Sequence, residues 1–231
     1  MWSLCPFWIL KESVSVATEY TRAPAARASR GESSGLAPFE ATVLHVWKML
    51  RIRTAERVAK SNQLDRYSHD HLREDRLSSV GEFADLGATI GGGQPLWALR
   101  TRPSELLLLS LSTDRTPIPR ELSDVFDGCA AAADRWPLLA VVDDSDGVTA
   151  LRLAGTEARS VLLRLADATS LPRAPGHATQ LRMADLRALL ACHDDGYTAL
   201  LASPYRSACI DWLRYAVEGM GLDAQRAVPG F

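Results

Sequence analysis

The chain has 231 residues, of which 47% are hydrophobic and 23% are charged, a composition typical of a soluble globular protein. Its 28 acidic and 26 basic residues leave a formal net charge of -2, so no large positive field is available to hold a nucleic-acid backbone. No apolar run approaches the ~18 residues that cross a bilayer. We therefore expect a protein that binds neither nucleic acid nor membrane.

The first 76 residues differ from the rest of the chain. The start MWSLCPFWILKES lacks the basic region of a signal peptide and is interrupted by Pro6, so we expect a cytoplasmic protein. The next stretch, TRAPAARASRGESSG, is small, polar and aperiodic, which predicts disorder. In residues 38–60, five apolar residues fall loosely on one side of an amphipathic helix: Val43, Val46, Trp47, Leu50 and Val58. We predict a flexible arm over residues 1–76 that is disordered or depends on a partner for its order.

Two hypotheses concern this arm. The disorder-prone composition suggests that translation begins at Met49, which would place residues 1–48 outside the native protein. The basic helix around residues 40–60 suggests instead an assembly protein that docks through the arm, in which case deleting residues 1–76 would abolish association.

From about residue 80 the patterns predict a sheet. QPLWALRT and ELLLLSLS indicate two strands joined by a tight turn at residues 102–104. A helix is predicted over residues 119–133, because four apolar residues have the spacing of a buried stripe: Leu122, Val125, Phe126 and Cys129. LLAVV is a continuous apolar run, which favours a strand covered on both faces.

The second half of the chain repeats the order of strand pair and helix. Asp143 to Gly147 predicts a tight turn before the strand VTALRL, and Thr156 is the predicted N-cap of the next helix. TQLRMADLRALLA predicts one long strand that turns at HDDG into YTALLAS. The last helix begins at Pro204, and its predicted buried stripe has five members: Cys209, Trp212, Leu213, Ala216 and Met220.

The element order β-β-α-β-β-α-β-β-α predicts an α+β domain with a largely antiparallel sheet and helices packed on one side. We place this domain at residues 77–222, followed by a tail over residues 223–231.

Candidate sites in the sequence do not combine into a catalytic or metal centre. The turn with Asp143, Asp144 and Asp146 lacks the spacing of a calcium loop, and turn chemistry accounts for each of its residues. The run IGGGQ at residues 90–94 is not followed by Lys-Ser/Thr, so it is not a phosphate-binding loop.

The cysteine and histidine residues give no stronger signal. Cys129 and Cys209 lie in apolar helical surroundings that favour buried thiols, and no C-x-x-C pair is present. Cys192 and His193 are consecutive on a strand, so their side chains point to opposite faces and cannot form a nucleophile–base pair. His177 lies in a proline-containing loop and is expected to be exposed. We predict no catalytic, cofactor-binding or metal-binding residue on this chain.

Four segments in order resemble the gamma subunit of heterotetrameric sarcosine oxidase, which is related to the glycine-cleavage T protein and to folate-binding proteins of the YgfZ type. They are LWALRTRPSELLLLS, VVDDSDGVTALRLAGTEARSVLLR, PGHATQLRMADLRALL and GYTALLASPYRSACIDWL, within about residues 80–222. This chain has Arg102 where the family usually has Gly, and Leu181 where it often has Thr. The family signature Lys-Gly-Cys-x-x-Gly-Gln-Glu of the YgfZ type is absent.

The resemblance implies a non-catalytic subunit of a complex that oxidatively demethylates N-methyl amino acids, with tetrahydrofolate as the one-carbon acceptor. It implies FAD, FMN, NAD and tetrahydrofolate on partner subunits, namely a large folate- and NAD-binding subunit and an FAD-binding subunit. The alternative is a stand-alone folate-binding or aminomethyltransferase-like protein, because fold kinship does not determine function. That alternative needs a carboxylate facing the pterin, for which Asp143, Asp144 and Asp146 are the candidates.

Overall fold

The computed structural model describes residues 37–54, 77, 79–86, 96–113, 120–133 and 139–228. The strands are β1 (Glu40–Thr54), β2 (Phe83–Asp85), β3 (Leu96–Arg102), β4 (Glu105–Ser112), β5 (Leu139–Asp143), β6 (Val148–Ala154), β7 (Ala178–Met183), β8 (Leu186–His193) and β9 (Gly196–Ala202). The helices are α1 (Arg120–Ala133), α2 (Ala158–Leu163), α3 (Arg206–Glu218) and α4 (Ala224–Ala227). In the described ranges, no helix is long and apolar enough to span a bilayer.

The strands form a single antiparallel sheet that curls into a nearly closed barrel. Their order is β2-β3-β4-β1-β6-β9-β8-β7, and β5 pairs additionally with β1. The two end strands meet where Glu82 bridges His177, and the Ala178 N–H donates to the Gly81 carbonyl at 2.6 Å. The predicted fold class, an α+β domain with a largely antiparallel sheet, is therefore confirmed.

Side chains that alternate along each strand divide the molecule into an interior and an outer layer. Trp97, Leu107 and Leu200 belong to a cluster inside the barrel, whereas their neighbours in sequence face outward. The helix α1 covers one outer flank through Leu122, Phe126 and Cys129, and α2, α3 and α4 cover the other. The four helices of the described ranges thus lie on the outer side of the curved sheet, as predicted.

The helix predicted within residues 38–60 is wrong for Glu40–Thr54, which form the 15-residue strand β1. This strand pairs with β6 through its first half and with β4 and β5 through its second half. Hydrogen bonds to strands distant in sequence therefore override a weak helical spacing of apolar residues. Residues 1–36 and 55–76 lie outside the described residues.

The predicted domain boundaries cut across this architecture. The strand β1 belongs to the predicted arm, yet it lies between β4 and β6 in the sheet of the predicted domain. The helix α4 falls in the predicted tail, yet Ala224, Ala227 and Val228 are buried in the outer core. A chain beginning at Met49 would lack the strand residues that pair with β6.

Several local predictions need correction. The single strand predicted over residues 179–191 is two strands, β7 and β8, joined by a turn at Ala184 and Asp185. The helix α2 begins at Ala158 with Glu157 at its N-cap position, so Thr156 is not its cap. The predicted buried stripe of α3 includes Trp212, which is 46% exposed.

Other predictions agree with the structure, with one further exception. The helix predicted over residues 119–133 is confirmed as Arg120–Ala133. The helix predicted to begin at Pro204 is α3, which begins at Arg206 after a 3-10 turn, Ser203–Tyr205, that contains Pro204. The strand predicted at LLAVV is not covered on both faces, because Val142 of β5 is 48% exposed.

Candidate functional site

A cavity of about 830 Å³ lies at the end of the barrel where the β3–β4, β5–β6 and β7–β8 turns come together. Its floor is apolar and consists of side chains that face the barrel interior: Met49, Leu107, Val148, Leu189 and Leu200. Its walls and rim are polar and charged. We call this region the charged end, defined by Arg51, Glu105, Asp144, Arg182 and Arg187.

Glu105 is the most deeply buried charged group in this cavity, with 2% of its surface exposed. Its Oε1 accepts a hydrogen bond from the Thr101 hydroxyl at 2.6 Å, and its Oε2 accepts one from the Arg53 Nε at 2.6 Å. The Arg51 Nη1 lies 3.4 Å from both carboxylate oxygens. The carboxylate is therefore fully engaged by groups of the same chain.

These partners keep Glu105 ionised in spite of its burial. Burial raises the pKa of Glu105, but hydrogen bonds from Thr101 and Arg53 and the charge of Arg51 outweigh it and hold the pKa below its ordinary value. A general acid at neutral pH needs a raised pKa, so Glu105 does not fit that role.

The acidic turn after β5 is hydrogen-bonded to β1. Asp144 Oδ2 accepts hydrogen bonds from Arg51 at Nη2 (2.5 Å) and Nε (3.1 Å). Asp143 accepts from Lys48 Nζ at 2.6 Å, and Ser145 Oγ accepts from the Met49 N–H at 2.9 Å. Burial raises the pKa of Asp143, but the hydrogen bonds from Lys48 and Ser145 leave it below its ordinary value.

The three aspartates singled out in this turn therefore point to different places. Asp144 lines the cavity, Asp143 pairs with Lys48, and Asp146 is exposed with its backbone carbonyl accepting from Ser203 Oγ at 3.1 Å. They do not converge on one ligand position. Across the described part of the chain, no group of three or more His, Cys, Asp or Glu residues is arranged to hold a metal ion.

The rim of the cavity carries three exposed arginines. Arg182 of β7 and Arg187 of β8 are directly opposite each other, and Arg102 of β3 lines the cavity from across the mouth. Arg182 pairs with Asp185 at 3.1 Å, but both side chains are largely exposed, so this ion pair contributes little. Like charges directly opposite on neighbouring strands repel each other, and a bound anion would relieve this repulsion.

The other end of the barrel interior is aromatic rather than charged. The ring of His193 lies 4.6 Å from that of Trp97 and 5.1 Å from that of Phe83, measured between centroids. His193 Nε2 is 3.0 Å from the Thr198 Oγ1. We call Phe83, Trp97 and His193 the aromatic end.

The remaining candidate residues are dispersed. Cys192 lies in the outer core and His193 in the aromatic end, so their side chains point to opposite faces as predicted. Cys129 and Cys209 are buried as predicted, and burial raises the pKa of Cys209 to about 12. His177 is exposed. The glycine run at 90–94 lies outside the described residues.

The residues that build the charged end were not recognised from the sequence. Arg51 meets Asp144 and Glu105, which lie 93 and 54 residues further along the chain. One signal was present: Glu105 is a lone acid at the head of the otherwise apolar run ELLLLSLS, where only a paired charge is tolerated. Chemically, the arrangement offers an apolar cavity with a cationic rim, which suits an anionic partner with apolar parts.

No family model and no curated protein matches this sequence. The fold is similar to that of a chain in the heterotetrameric sarcosine oxidase from Corynebacterium sp. U-96 in complex with pyrrole 2-carboxylate, with a TM-score of 0.59, 18% identity, and coverage of 80% of this chain and 86% of that chain. It is also similar to the glycine cleavage system aminomethyltransferase T from Bartonella henselae, with a TM-score of 0.56, 16% identity, and coverage of 83% and 50%.

These similarities establish a fold shared with both proteins at low sequence identity. The chain spans only half of the aminomethyltransferase, whereas it spans most of the matched sarcosine oxidase chain. The resemblance seen in the sequence is therefore confirmed at the level of fold. The subunit role stays a prediction.

Proposed function

We propose that this chain is a non-catalytic structural subunit of a cytoplasmic, heterotetrameric flavoenzyme of the sarcosine-oxidase type, equivalent to its gamma subunit. One observation carries the proposal: the fold match covers 80% of this chain and 86% of the sarcosine oxidase chain. The two chains are therefore of similar length, and one fold accounts for most of each. A complete aminomethyltransferase of the T type would need the half that this match leaves uncovered.

The chemistry of the charged end supports a structural role. Thr101, Arg53 and Arg51 engage Glu105, and Arg51 also engages Asp144, so the acidic groups of the cavity wall are already bonded within the chain. Catalytic acids and bases usually have pKa values that are shifted toward neutrality. In such a complex, partner subunits would hold FAD, FMN, NAD and tetrahydrofolate and would carry out the oxidation of an N-methyl amine.

Affinity purification of the tagged chain from its native host tests this function. We expect flavin-bearing subunits to co-elute, because a permanent interface of this kind buries more than about 2,000 Å² and does not dissociate on a column. The measurements are flavin absorbance of the eluted complex and mass spectrometry of its subunits. A stable monomer without partners in the cell extract would contradict the proposal.

The cavity itself favours a second candidate, a stand-alone folate-binding protein. Its volume of about 830 Å³ is within the range of small-molecule sites, which is roughly 300–1,000 Å³. Of the three candidate aspartates, Asp144 alone lines the cavity, and it would have to leave Arg51 to contact a pterin. Calorimetric titration with tetrahydrofolate decides the matter. Binding that Asp144→Asn weakens supports this candidate, and no heat at millimolar ligand removes it.

A further inference from the structure

Among the described residues, one edge of the barrel is left unpaired beside the charged cavity. The strand β7 is at the end of the sheet and pairs with β8 along its length. The Ala178 N–H points away from β8 and donates to the Gly81 carbonyl. Because backbone groups alternate along a strand, the N–H and C=O groups of Gln180 and Arg182 point to that same outer side. Among the described residues, no backbone group bonds to them there.

This open edge coincides with the mouth of the cavity. The β2 segment closes the barrel as far as Ala178, and beyond it Gln180 and Arg182 line the cavity. Arg102 of β3 lines the cavity from the opposite side. We call the space between β7 and β3 beyond Ala178 the gap. An exposed strand edge offers ready hydrogen bonds to another extended chain, and proteins normally cover such edges or pair them.

Charge restricts what can occupy the gap. The acidic wall groups Glu105 and Asp144 are paired with Arg51. Asp167 also lines the cavity, but it accepts hydrogen bonds only from the neutral N–H and hydroxyl of Thr169 within the described ranges, so it keeps its negative charge. The rim arginines face one another without comparable partners: Arg187 and Arg102 have no side-chain hydrogen bond or ion pair within the described ranges. The three rim arginines outnumber the two carboxylates near them, Asp167 and Asp185, so the mouth has an excess of positive charge and would form charge-assisted hydrogen bonds with further carboxylates.

We propose that this gap receives an extended acidic segment of a partner subunit, which pairs with β7 at Gln180 and Arg182. Main-chain hydrogen bonds to a sheet edge supply affinity, and alternate side chains supply specificity. The segment would direct apolar side chains onto the cavity floor and carboxylates toward Arg102, Arg182 and Arg187. This inference rests on the proposed function, because it requires a partner subunit.

Hydrogen exchange on the free chain and on the complex purified from the native host tests the proposal directly. The backbone amides of Gln180 and Arg182 should exchange freely in the isolated chain and at least about tenfold more slowly in the complex, as newly hydrogen-bonded amides do. Equal protection in the free chain would mean that another segment of this chain covers the edge, and it would overturn the proposal. Protection by millimolar tetrahydrofolate alone would assign the gap to a small ligand, with the same consequence.

Two sets of variants separate this interface from a merely structural role. The charge reversal Arg182→Glu with Arg187→Glu should weaken the complex at least about tenfold and reduce its sensitivity to salt, as expected for a charge-steered contact. Gln180→Pro removes an N–H on the open edge without removing a β7–β8 hydrogen bond, and it should weaken the complex independently. The control, Arg173→Glu with Arg226→Glu, alters exposed arginines outside the cavity and should change nothing.

The outcomes also distinguish this proposal from the function on which it rests. A flavin-bearing complex that forms normally with both the Arg182→Glu/Arg187→Glu variant and the Gln180→Pro variant would overturn the β7 interface and leave the structural-subunit function intact. Failure of the wild-type chain to co-purify with any flavin-bearing subunit would overturn both.

Discussion

The two ends of the barrel interior contain different kinds of side chain, aromatic rings at one end and ion pairs at the other. At the aromatic end, the rings of Phe83, Trp97 and His193 lie against one another. The ring centroid of His193 is 4.6 Å from that of Trp97 and 5.1 Å from that of Phe83. At the charged end, Arg51, Glu105 and Asp144 bind to one another along the wall. The aromatic rings fill space, while the ionic network leaves the middle empty.

The difference assigns the two ends different tasks. Flat rings bury much apolar surface, so the aromatic end contributes mainly to stability. Buried ion pairs contribute little net stability because desolvation offsets their attraction, but they hold polar groups around a cavity. The charged end is therefore the part of the barrel suited to binding.

The largest effect expected is the loss of the fold when the chain starts at Met49. The missing residues include Glu40–Leu44, which pair with β6 near the aromatic end, and Phe39, which is 2% exposed. Removal of one buried Phe side chain alone costs about 3–5 kcal/mol. We expect no cooperative thermal transition by circular dichroism, although the charged end keeps Met49 and Arg51.

A second truncation that starts at Ala37 is the matched control, because it retains all of β1. The contrast between the two chains isolates residues 37–48. If the chain from Met49 unfolds as cooperatively as the control, then β1 is dispensable at the aromatic end, and the description of the barrel is wrong.

The next effect is confined to the aromatic end. Trp97→Ala should lower the free energy of unfolding by about 3–5 kcal/mol, because Trp97 is buried against Phe83 and His193 and truncation leaves a large void. Urea denaturation measures the loss. Trp212→Ala is the control, since Trp212 is 46% exposed on α3 and should cost much less. Equal losses in the two variants would count against the aromatic end as a stability element.

At the charged end we expect a smaller, pH-dependent effect. Glu105→Gln should cost about 2–3 kcal/mol at neutral pH, because hydrogen bonds to charged groups are worth more than neutral ones. The folded-state pKa of Glu105 is lowered. Its contribution is therefore complete above the unfolded pKa and disappears as the pH falls through the folded value. The wild type should lose stability on acidification through this range, and the variant should lose less.

Urea midpoints from about pH 7 to about pH 3 measure this convergence, since acid titration of stabilising carboxylates occurs in that range. Asp185→Asn removes a carboxylate whose partner Arg182 is exposed, and it should leave the pH profile nearly unchanged. A constant difference between wild type and Glu105→Gln at all pH values would show that Glu105 acts through packing rather than charge.

Local patterns allowed part of this architecture to be predicted. The helix α1 follows from the spacing of Leu122, Phe126 and Cys129, and the turn after β5 follows from residues that bond to their own backbone. The strand β1 could not be predicted in this way, because its hydrogen-bond partners in β4, β5 and β6 lie far along the chain.

The candidate site escaped prediction for the same reason. Arg51 can be recognised as part of the site only when the fold brings Asp144 and Glu105 beside it. The strand β7 was not recognised as a separate strand, because the turn that separates it from β8 consists of Ala184 and Asp185 and contains neither Gly nor Asn. Its open edge could therefore not be predicted. The resemblance of the sequence to a known family could predict the fold, but it does not identify side chains that are specific to this chain.

The smallest effect concerns the turns at the two ends. At the charged end, Ala184 (φ 48°) and Asp185 (φ 66°) occupy left-handed conformations that favour Asn and Gly, so Ala184→Asn with Asp185→Gly should stabilise the protein by about 1 kcal/mol. At the aromatic end, Gly196 (φ 147°) is already suited to its position, and a Cβ there would clash with the Leu153 carbonyl oxygen. Gly196→Ala should therefore destabilise. Thermal melts that shift in opposite directions would show that strain remains at the binding end and has been removed at the closed end, whereas a loss of stability in both would refute this.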